Sequence, residues 1–192
     1  LGSACGSSES TPDGRGTATS DGGVPDAGDD TGFAFGGLHD GSVIGGPQHT
    51  AIFIATSHTI ARVELYLDND RIGEAPSAPW EIDWTTLPFA PGDHALRAVA
   101  YDADGAHVEG AIHIVLDNSP PVVGWVGTAT VGQPLHIPVT DNVGLAHVEV
   151  VASGHIYPTT IDATGVTVAW DYGCEVPIGV AVTAVDLAGW QT

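Results

Sequence analysis

The stretch Arg62-Val63-Glu64-Leu65-Tyr66-Leu67-Asp68 decides the fold class of this 192-residue chain. Its polar and apolar residues alternate, and because successive side chains of a β-strand point to opposite faces, Val63, Leu65 and Leu67 share one face. Asp68-Asn69-Asp70 follows, and such residues are typical of turns because their side chains bond to their own backbone. The pattern therefore predicts a half-buried strand that ends in a turn.

A second part of the chain repeats this one. Leu145-Ala146-His147-Val148-Glu149-Val150 matches Ile60-Ala61-Arg62-Val63-Glu64-Leu65 at an offset of 85 residues. Val168-Ala169-Trp170 matches Ile82-Asp83-Trp84 at an offset of 86, and 184–189 matches 100–105 at an offset of 84. Three matches in one order at nearly one offset indicate two copies of a single structural unit.

Short strands separated by turn residues make up the rest of the repeated region. The 26 Gly and 13 Pro residues disfavour helices, because both residue types interrupt helix interiors. Strands at a spacing of about ten residues are typical of a β-sandwich. In the first copy we expect the core to contain Val63, Leu65, Leu67, Trp84, Leu96, Ala98, Ala100, Ile112 and Ile114.

Four short stretches of the sequence, taken together, are typical of a known family of domains. The stretches 63–68, 92–96, 98–102 and 117–121 resemble the tandem bacterial immunoglobulin-like domains of secreted and surface proteins. The resemblance implies an all-β fold of two tandem immunoglobulin-like Greek-key β-sandwiches, which follow a disordered acidic N-terminal tether. We expect the tether in residues 1–36, the first domain in 37–118 and the second in 119–192. The second copy departs from the family because it lacks a counterpart of Gly92-Asp93-His94.

The second copy also stops early. In the first copy, the turn at Gly105 precedes a strand of about ten residues, whereas only three residues follow the matching Gly189. We therefore expect the second sandwich to lack its last strand, which would leave a strand edge unpaired. Either a longer chain or a partner would supply that strand.

The first residues suggest a lipid anchor. Ser3-Ala4-Cys5 resembles the end of the lipobox of bacterial lipoproteins, in which the Cys becomes diacylated; Gly2 departs from the Leu that is usual there. Of residues 1–32, 25 are Gly, Ser, Thr, Pro, Asp or Glu, a composition that favours a disordered tether. We expect lipid attachment at Cys5, and the alternative is a free thiol in a disordered terminus.

Charge limits the partners. Four Lys plus Arg against 24 Asp plus Glu give a formal charge of −20, which repels nucleic acid and anionic lipid. We therefore expect no nucleic-acid partner, and contact with a membrane only through a lipid on Cys5. The partner that remains is an unidentified protein or glycan at the cell surface.

The sequence contains none of the common catalytic patterns, such as G-x-S-x-G, H-E-x-x-H or C-x-x-C. We expect no enzyme activity and interpret the chain as an extracellular spacer, adhesion or display module of a bacterial surface lipoprotein. The alternative is an accessory immunoglobulin-like or carbohydrate-binding segment of a larger secreted hydrolase. Carbohydrate binding would require Trp80 or Trp125 to be exposed.

Acidic turns of both copies are expected to meet where the two domains join. Hard oxygen ligands in that number are what calcium requires, and unneutralised carboxylates would repel one another. We hypothesise a calcium ion at this junction, and the alternative is that these are solvated turn residues. The candidate ligands are Asp68, Asp70, Asp93, Asp117, Asn118, Asp141, Asn142 and Asp186.

Overall fold

The computed structural model describes residues 32–124, 133–152, 154–169 and 179–192, which contain sixteen strands and no helix. Within these ranges there is accordingly no helix that could cross a bilayer. Cys5, Trp125 and the predicted tether up to residue 31 lie outside the described residues. The strands are β1 (Gly32–Phe35), β2 (Ser42–Ile44), β3 (Pro47–Ala55), β4 (Ile60–Leu67), β5 (Asp70–Ala75), β6 (Glu81–Thr85), β7 (Gly92–Asp102), β8 (His107–Leu116), β9 (Val122–Val123), β10 (Leu135–Ile137), β11 (Val139–Thr140), β12 (Leu145–Ala152), β13 (His155–Tyr157), β14 (Thr159–Asp162), β15 (Gly165–Val168) and β16 (Val180–Asp186).

The first unit comprises β1 to β8. A five-stranded sheet in the order β2-β8-β7-β4-β5 and a three-stranded sheet in the order β1-β3-β6 share one apolar core. The alternation in β4 is confirmed, because Val63, Leu65 and Leu67 are all buried. Burial of each such side chain stabilises the fold by about 1.5–3 kcal/mol. The other predicted core residues are buried too, except Ile112, which is half-buried against the same core.

The second unit has smaller sheets, with at most three strands where the first unit has five. Its sheets have the orders β13-β12-β16, β10-β15-β14 and β11-β9. Its separate core contains Ile137, Val148, Val150, Val166 and Val168. Among the described residues, β16 pairs with β12 on one side and makes only the single bridge from Val185 to Gln191 besides.

The sequence repeat is also a structural repeat. Val63 pairs with Ala100 across β4 and β7, and Val148 pairs with Ala184 across β12 and β16. Each of these strand pairs has an irregularity after its first residue, at Ile60 in β4 and at Leu145 in β12. The two copies therefore share their register down to this local distortion.

The boundary of the predicted tether is wrong by five residues. Gly32–Phe35 form β1, which pairs antiparallel with β3, and Phe35 is buried in the first core. A Cβ added to Gly110 of β8 would lie 2.5 Å from Phe33. The short apolar stretch of β1 is thus part of the first sandwich. The acidic and glycine-rich sequence around it does not predict this.

Candidate metal centre

Three carboxylates meet at the junction of the two units. Each stands at or just beyond the end of a strand: Asp117 after β8, Asp141 after β11 and Asp186 as the last residue of β16. One oxygen of each lies within 4.8 Å of the corresponding oxygens of the other two. The structure thus brings together three of the eight predicted ligands, from three separate segments.

The first oxygen of each carboxylate is held by its own loop. Asp141 Oδ1 accepts hydrogen bonds from the backbone N–H groups of Val143 (2.9 Å) and Gly144 (2.7 Å). Asp186 Oδ1 accepts one from Trp190 N–H at 2.8 Å. Asp117 Oδ1 does the same with the N–H two residues later in the chain, at 3.2 Å. Such bonds to the local backbone fix the direction of a short acidic side chain.

The second oxygen of each carboxylate has no such partner. Asp117 Oδ2, Asp141 Oδ2 and Asp186 Oδ2 are buried and accept no hydrogen bond from the described residues. The exposed fraction is 0% for Asp117 and 1% for Asp186. A buried, unpaired ionised oxygen is costly unless a positive charge compensates it.

The surroundings of Asp186 change its acidity. Burial raises the pKa of Asp186 above its usual value, because it disfavours the charged form. The negative charges of Asp117 and Asp141 raise this pKa further, and the hydrogen bond from Trp190 N–H opposes the change. The charged form of Asp186 is therefore less stable here than in water.

Direct contacts tie the second unit to the first at this point. Asp117 N–H donates to the carbonyl of Ile44 in β2 at 2.9 Å, which anchors the Asp117 backbone to the first unit. The indole Nε1–H of Trp190 donates to the Asp117 carbonyl at 2.8 Å. A Cβ added to Gly45 would lie 2.1 Å from that carbonyl oxygen and 2.4 Å from Nε1, so the contact requires glycine. We call this set of contacts the joint.

The acidic loops of the second unit are also tied to each other. Leu187 N–H donates to the carbonyl of Gly144 at 3.1 Å, which connects the loop after β16 to the loop after β11. Asp141 and Asp186 are thereby held side by side on one unit, while Asp117 approaches them from the other.

The acidic turns of the first unit do not join this cluster. Gly92 pairs with Leu116, so the turns lie at the expected end of the first unit. Asp68, however, accepts hydrogen bonds from Ala95 N–H (2.9 Å) and His94 Nδ1 (2.7 Å). These bonds, the one from Ala95 above all, lower the pKa of Asp68. Asp70 and Asp93 are exposed and lie outside the group of three.

The two predicted amide ligands are placed elsewhere as well. Asn118 Oδ1 accepts the hydroxyl proton of Thr86 at 2.5 Å, and Asn118 Nδ2 donates to the carbonyls of Thr86 (3.0 Å) and Phe89 (3.3 Å). Its side chain thus serves the first unit. Asn142 is exposed. The predicted set of eight is too large, because local hydrogen bonds or solvent claim these five.

Trp190 is the residue of the joint that sequence reasoning missed. The first copy has Ala106 after its Gly105, whereas the second has Trp190 after the matching Gly189. The replacement of an alanine by an aromatic residue with an N–H donor indicates that this turn contacts another part of the protein. Recognising what it contacts required the other unit.

The chemistry of the cluster suits a hard cation. All three atoms are carboxylate oxygens, the ligand type that calcium and magnesium prefer, and no imidazole or thiol belongs to the group. The three carboxylates could therefore bind a divalent cation.

Comparisons with known proteins agree with this architecture. Residues 39–98 match the model of a family described as bacterial Ig domain. The fibronectin(III)-like modules of Clostridium thermocellum CbhA are similar in fold, with 19% identity, a TM-score of 0.51, and 83% of this chain and 88% of that one covered. No curated protein matches the sequence.

More distant likenesses also exist. SGBP-B of the Bacteroides ovatus mixed-linkage glucan utilization locus, solved with a mixed-linkage heptasaccharide, is 13% identical with a TM-score of 0.34; 85% of this chain and 45% of that one are covered. The insect immune protein hemolin is 12% identical with a TM-score of 0.37, over 86% of this chain and 47% of its own. The family match in residues 39–98 and the shared fold together support immunoglobulin-like β-sandwich domains in this chain.

Proposed function

We propose that this chain is a noncatalytic extracellular spacer or display module of a bacterial surface lipoprotein. The joint carries the proposal, because Trp190 of the second unit bonds to the backbone of Asp117, which is itself anchored to the first unit. A sandwich that is fixed on its neighbour can hold an attached domain at a set distance and direction. A flexible link would hold it at neither.

The N-terminal sequence supports an extracellular location. A lipid on Cys5 would attach the chain to a membrane, and the acidic residues that follow would repel one another and extend the tether. The charge of −20 would keep the sandwiches away from an anionic surface. The module would thus stand off from the membrane that anchors it.

Labelling with a fatty-acid analogue tests the anchor. The protein, expressed from its natural gene in a bacterial host, should incorporate the label and fractionate with membranes. Cys5→Ser should lose both properties, and Cys174→Ser is the matched control that should keep them. Equal labelling of wild type and Cys5→Ser would contradict the anchor.

A distance measurement tests the spacer. Spin labels at Asp83→Cys in the first unit and Ile156→Cys in the second, with Cys5 and Cys174 replaced by Ser, should report one narrow distance distribution. Asp83 has an 87% exposed side chain and Ile156 is also exposed, so the labels should not disturb either core. A broad distribution would contradict the proposal.

The second candidate function is that of an accessory or carbohydrate-binding segment of a larger secreted hydrolase. Trp80 is half-buried and packs against the first core, which leaves less of its ring for stacking on a sugar. A glycan array distinguishes the two functions. Glycan binding that is lost in Trp80→Ala or Trp125→Ala would favour a carbohydrate-binding segment. The absence of such binding is expected for a spacer, whose partner would then be a protein or the displayed domain itself.

A further inference from the structure

The buried carboxylate oxygens at the joint have no hydrogen-bond partner, and a positive charge beside them would stabilise them. Two of the three residues, Asp117 and Asp186, are more than nine-tenths buried, and the Oδ2 atom of each, like Asp141 Oδ2, is buried without a hydrogen-bond partner. One carboxylate oxygen of each of the three residues belongs to the close group. An acidic cluster on the surface is solvated and needs no ion. Here water has almost no access to the three oxygens, and no cationic side chain pairs with them among the described residues.

We propose that a calcium ion binds between Asp117, Asp141 and Asp186 and closes the joint. Calcium–oxygen distances of about 2.3–2.6 Å allow two ligands of one ion to be as far as about 4.6–5.2 Å apart, which accommodates the separations in this group. Calcium also accepts carboxylates together with backbone carbonyls and water in a flexible geometry. Magnesium demands a stricter geometry at shorter distances and gives up its water reluctantly.

The ion would crosslink the two units. Asp117 is held on the first unit through its N–H bond to Ile44, whereas Asp141 and Asp186 belong to loops of the second unit that are bonded to each other. One ion shared by all three therefore adds to the bond between Trp190 and Asp117. The inference deepens the spacer proposal, since it names what would stiffen the spacer, but ion binding can be measured independently.

Asp186→Asn with Asp102→Asn as its control gives the sharpest test. The two residues hold matching turns, since Asp186 Oδ1 accepts Trp190 N–H at 2.8 Å and Asp102 Oδ1 accepts Ala106 N–H at 2.9 Å. An asparagine keeps the accepting oxygen in both turns, so both variants should fold. Only Asp186 lies in the cluster.

Calcium chloride is titrated into the chelator-treated full chain by calorimetry, and the melting temperature is recorded with and without the metal. We expect binding heat with a Kd of about 10⁻⁴–10⁻³ M and a rise in melting temperature. Asp186→Asn should weaken binding at least about tenfold, because the site loses a charged ligand. It should also raise the melting temperature of the calcium-free protein, because one repelling charge is removed. Asp102→Asn should bind calcium like the wild type.

Three outcomes would overturn the proposal. The first is no binding heat and no change in melting temperature at millimolar calcium. The second is an equal loss of calcium binding in Asp186→Asn and Asp102→Asn. The third is that magnesium gives the same binding heat and the same rise in melting temperature as calcium. The spin-label distance distribution separates this inference from the proposed function. Calcium binding with a broad distribution would retain the site and refute the rigid spacer, whereas a narrow distribution without calcium binding would do the reverse.

Discussion

Two matching turns, 102–106 in the first unit and 186–190 in the second, have the same backbone geometry and different surroundings. Asp102 N–H donates to the Ala106 carbonyl at 2.9 Å, and Asp186 N–H donates to the Trp190 carbonyl at 3.1 Å. Each aspartate accepts the returning N–H on its side chain. The local sequence thus determines the turn in both copies.

The surroundings of the two turns determine what their carboxylates can do. Asp102 lies at the far end of the first unit, where its side chain is 20% exposed and lines a shallow pocket with His58 and His107. Asp186 lies at the joint, where it is buried against Asp117. The same turn forms part of a candidate metal centre where a residue anchored to the other unit covers it.

A second pair of matching residues also differs in its surroundings. Thr56 and Asp141 are separated by the repeat offset of 85, and each accepts the N–H two residues later, Thr56 from His58 at 3.2 Å and Asp141 from Val143 at 2.9 Å. Both side chains serve a turn, but only the one at the joint is a carboxylate. The copies thus differ in charge where one unit meets the other.

The largest expected effect tests whether the two copies have separate cores. Leu65 and Val150 occupy matching positions and are fully buried. Leu65→Ala should destabilise the first unit by about 2–5 kcal/mol and Val150→Ala the second by about 2 kcal/mol, because each leaves a cavity. Calorimetric unfolding should show each variant lowering a different transition. Equal lowering of both transitions by each variant would contradict two separate cores.

The next effect concerns the close approach at the joint. Gly45→Ala should destabilise the protein by about 1–3 kcal/mol, because the new methyl group overlaps Asp117 and Trp190. Gly32→Ala is the control, since its Cβ would lie an ordinary 3.7 Å from Ala55. Denaturant unfolding measures both variants. If Gly45→Ala is no more destabilising than Gly32→Ala, the contact does not exist in solution.

Removal of a single hydrogen bond should have a smaller effect. Trp190→Phe loses the bond to the Asp117 carbonyl, which is worth about 0.5–1.5 kcal/mol, and should speed hydrogen exchange around residues 186–190. Trp84→Phe loses a bond to Thr50 inside the first core and serves as the comparison. That variant should leave exchange at 186–190 unchanged. Faster exchange there in both variants would show that the joint is not a local contact.

The smallest effect distinguishes the first unit by its pH dependence. Burial lowers the pKa of His94, but hydrogen bonds to Asp68 and to the Ala90 carbonyl outweigh it, and the net pKa is raised above 6.5. The stabilisation is therefore complete below the unfolded pKa and is lost as pH rises through the folded one. The stability difference between wild type and His94→Gln should shrink by about 0.2–1 kcal/mol from about pH 6 to pH 8.5. A difference that grows with pH would show that the sign is wrong.

The sequence sufficed for the features that depend on local periodicity. Alternation in Val63, Leu65 and Leu67 has a period of two, which only a strand satisfies, and the second copy reproduced it at Val148 and Val150. The structure of β1 could not be predicted in the same way, because Phe33 and Phe35 form too short a run to show a period. Their place depends on β3 and on Gly110, far along the chain.

The candidate site was only partly predictable for the same physical reason. The meeting of acidic loops followed from the topology of a sandwich, and it located Asp117, Asp141 and Asp186 at one junction. Which carboxylates face one another depends on the hydrogen bonds that each loop makes. Asp68 is directed to Ala95 and His94 by such bonds, and a sequence pattern does not reveal them.

A crystal structure of the full chain grown in millimolar calcium would show whether a calcium ion joins the two units. We expect an ion within about 2.3–2.6 Å of the Oδ2 atoms of Asp117, Asp141 and Asp186, with the indole of Trp190 still bonded to the Asp117 carbonyl. Carboxylates that point apart into solvent, with no ion between them and the two sandwiches separated, would contradict it.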